Sequence, residues 1–498
     1  MRKRLTLLAI AMCTVIYAGD LGLAQESRWS PPVQLSDTGR FSWFPDIAAD
    51  PSGHVHVVWA TFVPGYDAVM YATADRKGAW SRPTDIIVLS DTGAATRPTI
   101  MFDLRGNAHL IGRNDHQMVY YRVPFDDLQF PQRWPRERDI ASPGAYFSAI
   151  ASAPDGSLHF IFTANPRFEE CITCYSIFYR QSRDGGASWS NPTLITPPGN
   201  GAVKPQLIVD RKGYLHVVWD AGRGGGLAQI TGSTQVSYIS SRDGGRTWSD
   251  PLEFSGPTAG YPDGSGKFIT IAEDGTGKLV IAWLKLPDDV LQYQVSSDGG
   301  LSWSAPAPLH GAFGIWDVVE SRLDTYSMAT DSGGNVHLVM VGRLDKTSKI
   351  PSLLHFVWDG TSWSEPEVIF TSQDFIPAWP RIAIGLGNQL HVAWFAANDL
   401  FATDSPDADF RIWYSRSSAS APAIQPVVYP TSTPLLLPTV TPSTFVGEAK
   451  SPPVNSTPSE ITSDVLKTEV DDYGLIILSI APIVLLFVIG LLITRRRG

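Results

Sequence analysis

Short apolar runs recur in a fixed order through residues 29–416, and polar turns separate them. In each copy an apolar run leads through a Gly/Asp turn into a second apolar run, as in PDIAADPSGHVHVVW from Pro45 and KPQLIVDRKGYLHVVW from Lys204. Two such runs around a short turn are typical of a tight β-hairpin. A third run follows and ends in Tyr-x-x-Ser, at Tyr179 and Tyr238 in two copies. The pattern therefore predicts at least three strands in every copy.

A fourth strand completes each copy and begins after a polar turn that ends in tryptophan. The clearest examples are SRDGGASWSNP from Ser182, SRDGGRTWSDP from Ser241 and SSDGGLSWSAP from Ser296. The corresponding tryptophans of all seven copies are Trp29, Trp80, Trp134, Trp189, Trp248, Trp303 and Trp363. Repeats of this length are typical of solenoids, propellers and arrays, and four strands per repeat favour a propeller. The prediction is an all-β, seven-bladed β-propeller with four-stranded blades.

The two ends of the repeat region predict how the ring closes. The chain enters it with a lone fourth strand, WSPPVQL from Trp29 to Leu35, and leaves it with a third strand, FRIWYSR from Phe410 to Arg416. All seven blades have four strands if the N-terminal strand completes the seventh blade. This pairing would also cover two sheet edges that are otherwise exposed. We assign the propeller to residues 25–416.

The N-terminal segment has the pattern of an export signal. MRKRLTLLAIAMCTVIYAGDLGLA contains three basic residues, then an apolar run, then small residues, which predicts a secretory signal peptide over residues 1–24. The mature chain keeps two cysteines, Cys171 and Cys174, in the motif CITC. In an exported protein we expect these two to form a local disulfide, and a zinc site is the weaker alternative.

The C-terminal part predicts a stalk and an anchor. Residues 417–473 are rich in Pro, Ser and Thr, a composition that favours an extended spacer. Residues 474–494 contain the uncharged run LIILSIAPIVLLFVIGLLI, which is long enough for a transmembrane helix. The basic tail, residues 495–498, is expected on the cytoplasmic side. The prediction is a single-pass cell-membrane protein with an extracellular propeller and a cytoplasmic C-terminus.

Charge and residue spacing argue against several classes of function. The formal net charge of −10 argues against nucleic acid as a partner. Valine replaces histidine in the fifth blade, at Val280, in a position early in the second strand that is otherwise shared by His56, His109, His159, His216, His337 and His391. A residue that recurs around the ring and can be replaced by valine is expected to pack or to hydrogen bond. We therefore predict no metal site and no cofactor, and we expect a monomer.

The Asp-Gly-Gly turns are also expected to be structural. Their aspartates can accept hydrogen bonds from backbone N–H groups of the same turn, their glycines supply positive φ angles, and the following tryptophan covers the hairpin. The residues to which we assign this structural role are Asp184, Trp189, Asp243, Trp248, Asp298 and Trp303.

The strand order predicts two different faces of the ring. The first-to-second and third-to-fourth turns lie together on one face, which we call the turn face. The second-to-third loops and the links between blades lie on the other, which we call the loop face. Binding and catalysis favour variable loops on a rigid scaffold. We therefore predict the functional site on the loop face.

The turn motif S-x-D-x-G-x-x-W resembles the Asp box of sialidase-like, BNR-repeat propellers. The copies from Ser182, Ser241 and Ser296 fit it, and those at Trp80 and Trp363 are degenerate. With the companion hairpin, the resemblance covers the whole head and implies a β-propeller. For a sialidase it also implies an arginine triad that holds the substrate carboxylate, a tyrosine nucleophile paired with a glutamate, and an aspartate as acid/base.

The arginine positions differ from the sialidase pattern. Where that family has Phe-Arg-Ile-Pro at its first blade, this chain has WFPD from Trp43. The nearest matches are Arg97 in TRPTI and Arg381 in PRIAI, in blades 2 and 7. The catalytic propellers of the family also have six blades rather than seven. These differences favour a head that binds without catalysis.

Candidate site residues come from the loop face. The longest link between blades, GAFGIWDVVESRLDT from Gly311, supplies Asp317 and Glu320 as candidate catalytic residues. Aromatic rings beside carboxylates and arginines suit a sugar ring with polar edges. The candidate substrate-binding residues are Arg97, Arg322, Arg381, Tyr146, Tyr261, Trp316 and Trp379. The loop face carries many further charged residues, Lys204 among them, to which the sequence assigns no separate role.

Three hypotheses for function remain open from the sequence. The first, which we favour, is a membrane-anchored extracellular head that binds glycans or surface proteins without catalysis. The second is a glycoside hydrolase of the sialidase-like type that acts on surface glycans. The third is a structural or assembly scaffold at the cell surface.

Overall fold

The computed structural model describes residues 28–37, 41–63, 66–89, 97–114, 117–136, 138–141, 145–169, 171–199, 201–222, 235–255, 266–315, 324–400 and 407–422. In these residues, 28 strands form seven antiparallel sheets of four strands each. This confirms the predicted all-β, seven-bladed β-propeller. The predicted signal peptide, the stalk from residue 423 onward, and the predicted membrane segment and tail lie outside these ranges. Within them, no helix has the length and apolar character needed to cross a membrane.

Each blade has one strand at each of four positions from the axis outward. The first strands are β2 (Phe41–Ala49), β6 (Thr99–Phe102), β10 (Ser148–Ser152), β14 (Ala202–Val209), β18 (Gly266–Glu273), β22 (Ser327–Thr330) and β26 (Ile376–Gly385). The second strands are β3 (Val55–Val63), β7 (Asn107–Asn114), β11 (Leu158–Ala164), β15 (Leu215–Ala221), β19 (Leu279–Lys285), β23 (Val336–Gly342) and β27 (Gln389–Ala397). The third strands are β4 (Tyr66–Ala74), β8 (Gln117–Pro124), β12 (Ser176–Ser182), β16 (Gln235–Ser241), β20 (Val290–Ser296), β24 (Ser352–Trp358) and β28 (Phe410–Ser418). The fourth strands are β5 (Thr84–Leu89), β9 (Arg138–Ala141), β13 (Thr193–Leu194), β17 (Leu252–Glu253), β21 (Ala307–Phe313), β25 (Glu367–Thr371) and, in blade 7, β1 (Val33–Gln34). Short 3-10 helices span Phe125–Asp127, Pro131–Arg133 and Leu386–Asn388.

The ring closes as the sequence predicts, through the N-terminal strand. In β1, Val33 pairs with Tyr414 and Gln34 pairs with Trp413 of β28. The first strand of the head thereby becomes the outer strand of the last blade. This pairing joins the two ends of the head and covers the outer edge of β28.

The last described residues show where the chain leaves the head. Strand β28 ends at Ser418, two residues beyond the predicted boundary. The Ala419 N–H then donates to the Asn388 carbonyl at 2.9 Å, and the Asn388 side chain donates to the Pro422 carbonyl at 2.6 Å. Asn388 lies in the turn between β26 and β27, which belongs to the turn face. The C-terminal segment therefore leaves the head from the turn face.

The core lies between neighbouring blades. Every residue of β11, β15 and β23 is buried, so that these second strands show no alternation of apolar and polar positions. Because each blade is packed between two others, both faces of its sheet are covered, and continuous apolar runs result. The large side chains Trp59, Trp219, Trp283 and Trp394 lie in second strands and are at most 1% exposed.

The repeated histidines lie in hydrogen-bonded pairs inside the blades. Five of them contact a third-strand tyrosine hydroxyl through Nδ1 at 2.7 or 2.8 Å, in the pairs His56–Tyr71, His109–Tyr120, His159–Tyr179, His216–Tyr238 and His391–Tyr414. In blade 6, His337 contacts His355 at 2.9 Å instead. Burial lowers the pKa of His159 and of His337 to about 4. The repeated histidines are therefore hydrogen-bonded parts of the scaffold, as the sequence predicts.

The Asp-box turns connect neighbouring blades. Asp243 Oδ1 accepts hydrogen bonds from the N–H groups of Arg246 at 3.0 Å and Thr247 at 2.9 Å. The Trp248 ring lies edge-on, 5.3 Å from the ring of Tyr179 in the preceding blade. A Cβ atom at Gly245 would overlap that same tyrosine. The second glycine of the turn therefore leaves room for the neighbouring blade, and Asp184 with Trp189 and Asp298 with Trp303 repeat the arrangement.

Candidate functional site

Seven equivalent residues at the loop-face ends of the first strands meet near the propeller axis. We call them the axial ring: Phe44, Arg97, Phe147, Lys204, Phe268, Tyr326 and Trp379. Side chains of the ring reach across the axis. The rings of Phe147 in blade 3 and Trp379 in blade 7 stack there, with their centroids 6.4 Å apart. All seven are buried. The axial ring therefore bounds any binding site that lies on the axis.

The backbone of the axial ring is strained in most blades. Five of its residues have φ angles between 49° and 62°, namely Phe44, Arg97, Lys204, Phe268 and Trp379. Four of the first strands also shift register at this point, which is the signature of a β-bulge. A residue with a side chain lowers the folding stability by about 1–2 kcal/mol when its backbone adopts the left-handed conformation. Bulges and such strain are concentrated next to functional sites in proteins, where they direct particular side chains.

Arg97 is enclosed by aromatic rings. Its Cζ atom lies 4.1 Å from the centroid of Phe44, 4.4 Å from Tyr146 and 4.7 Å from Phe147. The residue is 8% exposed, and its Nε and Nη1 atoms are buried without a hydrogen-bond partner among the residues that the structure describes. Cation–π contacts stabilise the charge but leave these N–H donors unused.

Tyr146 lies between two arginines. Arg113 has its Cζ atom 4.7 Å from the Tyr146 centroid, on a side chain held by the Ala145 carbonyl at 3.0 Å. Burial alone would raise the pKa of Tyr146, but the charges of Arg97 and Arg113 outweigh it, and the pKa is lowered. The Tyr175 ring lies 5.6 Å from that of Tyr146 and extends this aromatic group towards the loop face. The two neighbouring guanidinium charges therefore stabilise the phenolate form of Tyr146.

Lys204 and Asp324 belong to blades 4 and 6 and meet across the axis. The Lys204 Nζ donates to the Asp324 carbonyl at 2.8 Å, and burial lowers the pKa of this lysine to about 8. The Asp324 carboxylate accepts the Trp379 N–H at 2.8 Å through Oδ1, whereas its Oδ2 has no partner in the described part of the chain. Burial raises the pKa of Asp324 to about 7. Burial therefore favours the protonated form of the Asp324 carboxyl group more strongly than water does.

Two further carboxylates hold the backbone around the axis. Asp46 accepts the Ile100 N–H at 2.9 Å and lies 3.9 Å from the Arg381 Nε. Asp220 accepts the N–H groups of Phe268 and Ile269, which the bulge in β18 leaves out of the strand ladder. Burial raises the pKa of both carboxyl groups in spite of the nearby cations.

A cavity of about 310 Å3 lies on the axis and includes part of the axial ring in its lining. Its charged lining residues among those described are Asp46, Arg97, Lys204 and Arg381. Three cations against one carboxylate give the cavity an excess of positive charge. The neutral part of the lining includes Thr99, Gln206 and Ser327, which can hydrogen bond, and the Trp379 ring. Charge, hydrogen-bonding groups and an aromatic wall suit a small anionic ligand.

The structure brings together part of the predicted site. Arg97, Trp379 and Arg381 all line the axial cavity, and Tyr146 lies against Arg97. The other predicted site residues, Tyr261, Trp316, Asp317, Glu320 and Arg322, lie outside the described residues. Cys171 and Cys174 form a disulfide in the loop that precedes Tyr175. In the described ranges, no group of three or more His, Cys, Asp or Glu side chains could hold a metal ion.

Sequence reasoning missed Asp324 and did not single out Lys204 among the charged loop-face residues. A signal for the axial ring does exist in the sequence: Phe44, Arg97, Lys204 and Trp379 each precede a proline at the start of a first strand. Proline lacks the N–H that a strand ladder needs, which marks a break in the ladder at the same place in four blades.

Comparison with known proteins gives no sequence match and several distant structural matches. No family model and no curated protein sequence matches it. Among solved structures, a polysaccharide lyase of family PL25, an ulvan lyase, is 12% identical with a TM-score of 0.49, covering 77% of this chain and 95% of that one. The NanB sialidase from Streptococcus pneumoniae is 12% identical with a TM-score of 0.44, covering 78% and 70%. The intramolecular trans-sialidase from Ruminococcus gnavus is 12% identical with a TM-score of 0.43, covering 80% and 98%.

With TM-scores below 0.5, none of these three likenesses carries an argument about this chain. The seven sheets and the hydrogen bonds of the Asp boxes are properties of this chain itself. They confirm the predicted resemblance to sialidase-like Asp-box propellers at the level of architecture. They carry no information about substrate.

Proposed function

We propose that this propeller is a glycan-binding head that holds a carboxylate of an acidic saccharide in the axial cavity, without catalysis. The observation that carries the proposal is Arg97, whose buried guanidinium keeps two nitrogens without a partner in the described structure beside a cavity with excess positive charge. Buried polar groups in native proteins are nearly always satisfied, so unused donors suggest a missing ligand. A carboxylate matches the guanidinium fork.

The proposal includes display at the cell surface. The predicted signal peptide, stalk and transmembrane segment support it from the sequence. Carbonate extraction of cell membranes tests the anchor, and release of the protein into the soluble fraction would contradict it.

Binding is tested with the full-length protein in detergent and a panel of immobilised acidic oligosaccharides with their carboxyl-reduced counterparts. We expect binding that needs the carboxylate and is lost in Arg97→Met. Arg82→Met is the matched control. Arg82 is exposed on the outer side of blade 1, and its substitution removes the same charge as Arg97→Met. Equal binding of the reduced saccharides, or binding by Arg97→Met as strong as that of the control, would reject the proposal.

A second candidate, a glycoside hydrolase, is favoured by two observations. Asp324 has a pKa of about 7 and an Oδ2 atom without a described partner, as a general acid would need. Tyr146 has a lowered pKa, as a tyrosine nucleophile would need. The test is turnover of a fluorogenic sialoside or of another aryl glycoside. Turnover that is lost in Asp324→Asn and in Tyr146→Phe would show that the propeller is a glycoside hydrolase and not a head that only binds.

A further inference from the structure

Blade 2 connects its third and fourth strands differently from blades 1 and 3 to 6. In place of an Asp box, residues 125–136 contain the two 3-10 helices Phe125–Asp127 and Pro131–Arg133. The segment is firmly held, since the Trp134 indole donates to the Asp127 carbonyl at 3.0 Å and Leu128 is 1% exposed. The side chains that it presents therefore stand on a rigid base.

This connection forms one wall of a cleft on the turn face. The cleft has a volume of about 460 Å3, and its other wall is the Asp-box turn of blade 3 at Gly186 and Ala187. Four arginines line it, which we call the arginine cleft: Arg122, Arg133, Arg136 and Arg138. Among the described residues, Asp127 is the carboxylate that lines it. The local charge is thus strongly positive on a chain whose formal net charge is −10.

Two of these arginines are positioned by contacts and two carry charge that the described structure does not neutralise. Arg133 pairs with Asp127 at 3.3 Å and lies 4.5 Å from the Phe130 centroid. Arg138 donates to the Gly186 carbonyl at 3.4 Å. Arg122 and Arg136 make no hydrogen bond or ion pair with another described residue. The positive charges that remain in the cleft repel one another, and an anion that bridges them removes this cost.

We propose that the arginine cleft is a second binding site, for the sulfate or phosphate ester groups of an acidic polysaccharide. Guanidinium groups bind tetrahedral oxyanions through paired N–H donors, and several around one cleft can share one ester group. The cleft walls carry Pro124 and Pro135, which offer apolar surface to a sugar ring. No exposed large apolar side chain in the described lining could insert into a lipid bilayer, which favours a polysaccharide over a membrane surface.

This site is separate from the axial cavity. Among the residues that the structure describes, none lines both the arginine cleft and the axial cavity. One proposal can therefore fail while the other holds. In particular, Arg97→Met should leave ligand binding in the cleft unchanged.

The test measures binding of a highly sulfated oligosaccharide to the full-length protein in detergent, at two salt concentrations. Its desulfated counterpart, a phosphorylated oligosaccharide and phosphatidylglycerol vesicles form the other arms. We expect the double variant Arg122→Gln/Arg136→Gln to reduce the affinity for the sulfated or the phosphorylated chain at least tenfold and to weaken the salt dependence. The desulfated chain should bind weakly to all forms.

Arg82→Gln/Lys349→Gln is the matched control, because both residues are exposed and the charge change is the same. It should retain binding, and both double variants should keep the unfolding temperature of the parent. Equal affinity in the two double variants would overturn the proposal. So would binding of the desulfated chain as tight as that of the sulfated one, or binding of the vesicles alone.

Discussion

The histidines of the second strands recur in six of the seven blades and the residues of the axial ring in all seven, yet their polar atoms are satisfied to very different degrees. His109 contacts Tyr120 at 2.7 Å and Asp103 at 3.0 Å, and equivalent pairs recur around the ring. The axial ring changes residue type from blade to blade, and Arg97 keeps two buried donors without a described partner. Uniform, satisfied positions maintain the scaffold, whereas variable, unsatisfied ones mark the place where a ligand is expected.

The first prediction tests the histidine pairs through pH and has the largest expected effect. Burial lowers the pKa of His159 and His337 to about 4 and of His391 to about 3, from about 6.5 when unfolded. Because the unfolded chain binds these protons first, stability is complete above pH 6.5 and falls as the pH drops towards 4. His159 and His337 each contribute up to about 3 kcal/mol, and His391 up to about 5 kcal/mol.

Thermal unfolding between pH 7.5 and pH 4.5 measures this effect. The double variant His159→Val/Tyr179→Phe removes one pair and should depend less on pH over the same range. A melting temperature that stays constant from pH 7 to pH 4.5 would show that the buried histidines titrate as they do in the unfolded chain.

The second prediction tests the contact between an Asp box and the preceding blade. Gly300 has a φ of 84°, and a Cβ atom there would overlap the Tyr238 hydroxyl. Gly300→Ala should lower the free energy of unfolding by about 3 kcal/mol. The added methyl group collides with Tyr238, and alanine is strained at this positive φ angle. Gly213→Ala is the matched control in blade 4, because its φ is 80° and no atom lies within 4 Å. Denaturant unfolding should give the control a loss of only about 1 kcal/mol, and equal losses would contradict the contact.

The third prediction tests one histidine pair by a double-mutant cycle. Tyr238→Phe removes the hydroxyl 2.8 Å from His216 Nδ1 and should cost about 1–3 kcal/mol, because it leaves a buried polar atom unsatisfied. Adding His216→Val should recover most of this loss, since both partners become apolar and blade 5 has Val280 at the same position. Denaturant unfolding of the four proteins measures the coupling, and additive losses would show that the two residues act independently.

The fourth prediction concerns the axial ring and has the smallest expected effect on stability. Arg97→Met places an apolar chain among Phe44, Tyr146 and Phe147 and removes two unsatisfied donors. We expect a change in unfolding free energy of less than about 1 kcal/mol, since lost cation–π attraction is offset by relief of the buried charge. The melting temperature measures it. A loss above about 3 kcal/mol would assign Arg97 to the scaffold rather than to a ligand.

The repeat made the scaffold predictable. The seven tryptophans and the paired apolar runs indicated the number of blades, the four strands of each blade and the closure by Trp29 to Leu35. The structural role of the histidines followed from the same repetition. Local sequence was sufficient there because hairpins and Asp-box turns form between residues close in the chain, and each blade buries both faces against like neighbours.

The candidate site depends on the closed ring, and sequence reasoning reached it only in part. Arg97 and Arg381 were selected from the sequence, but the contact of Lys204 with Asp324 joins residues 120 positions apart in blades 4 and 6. No local pattern relates two such residues, because their distance is set by the radius of the ring and by the bulges that turn their side chains towards the axis. The sequence by itself determined the repeated strands, their turns and the way the ring closes. Only the tertiary structure decided which charges share the axial cavity and which lie unpaired, because seven separate segments approach one another only when the propeller closes.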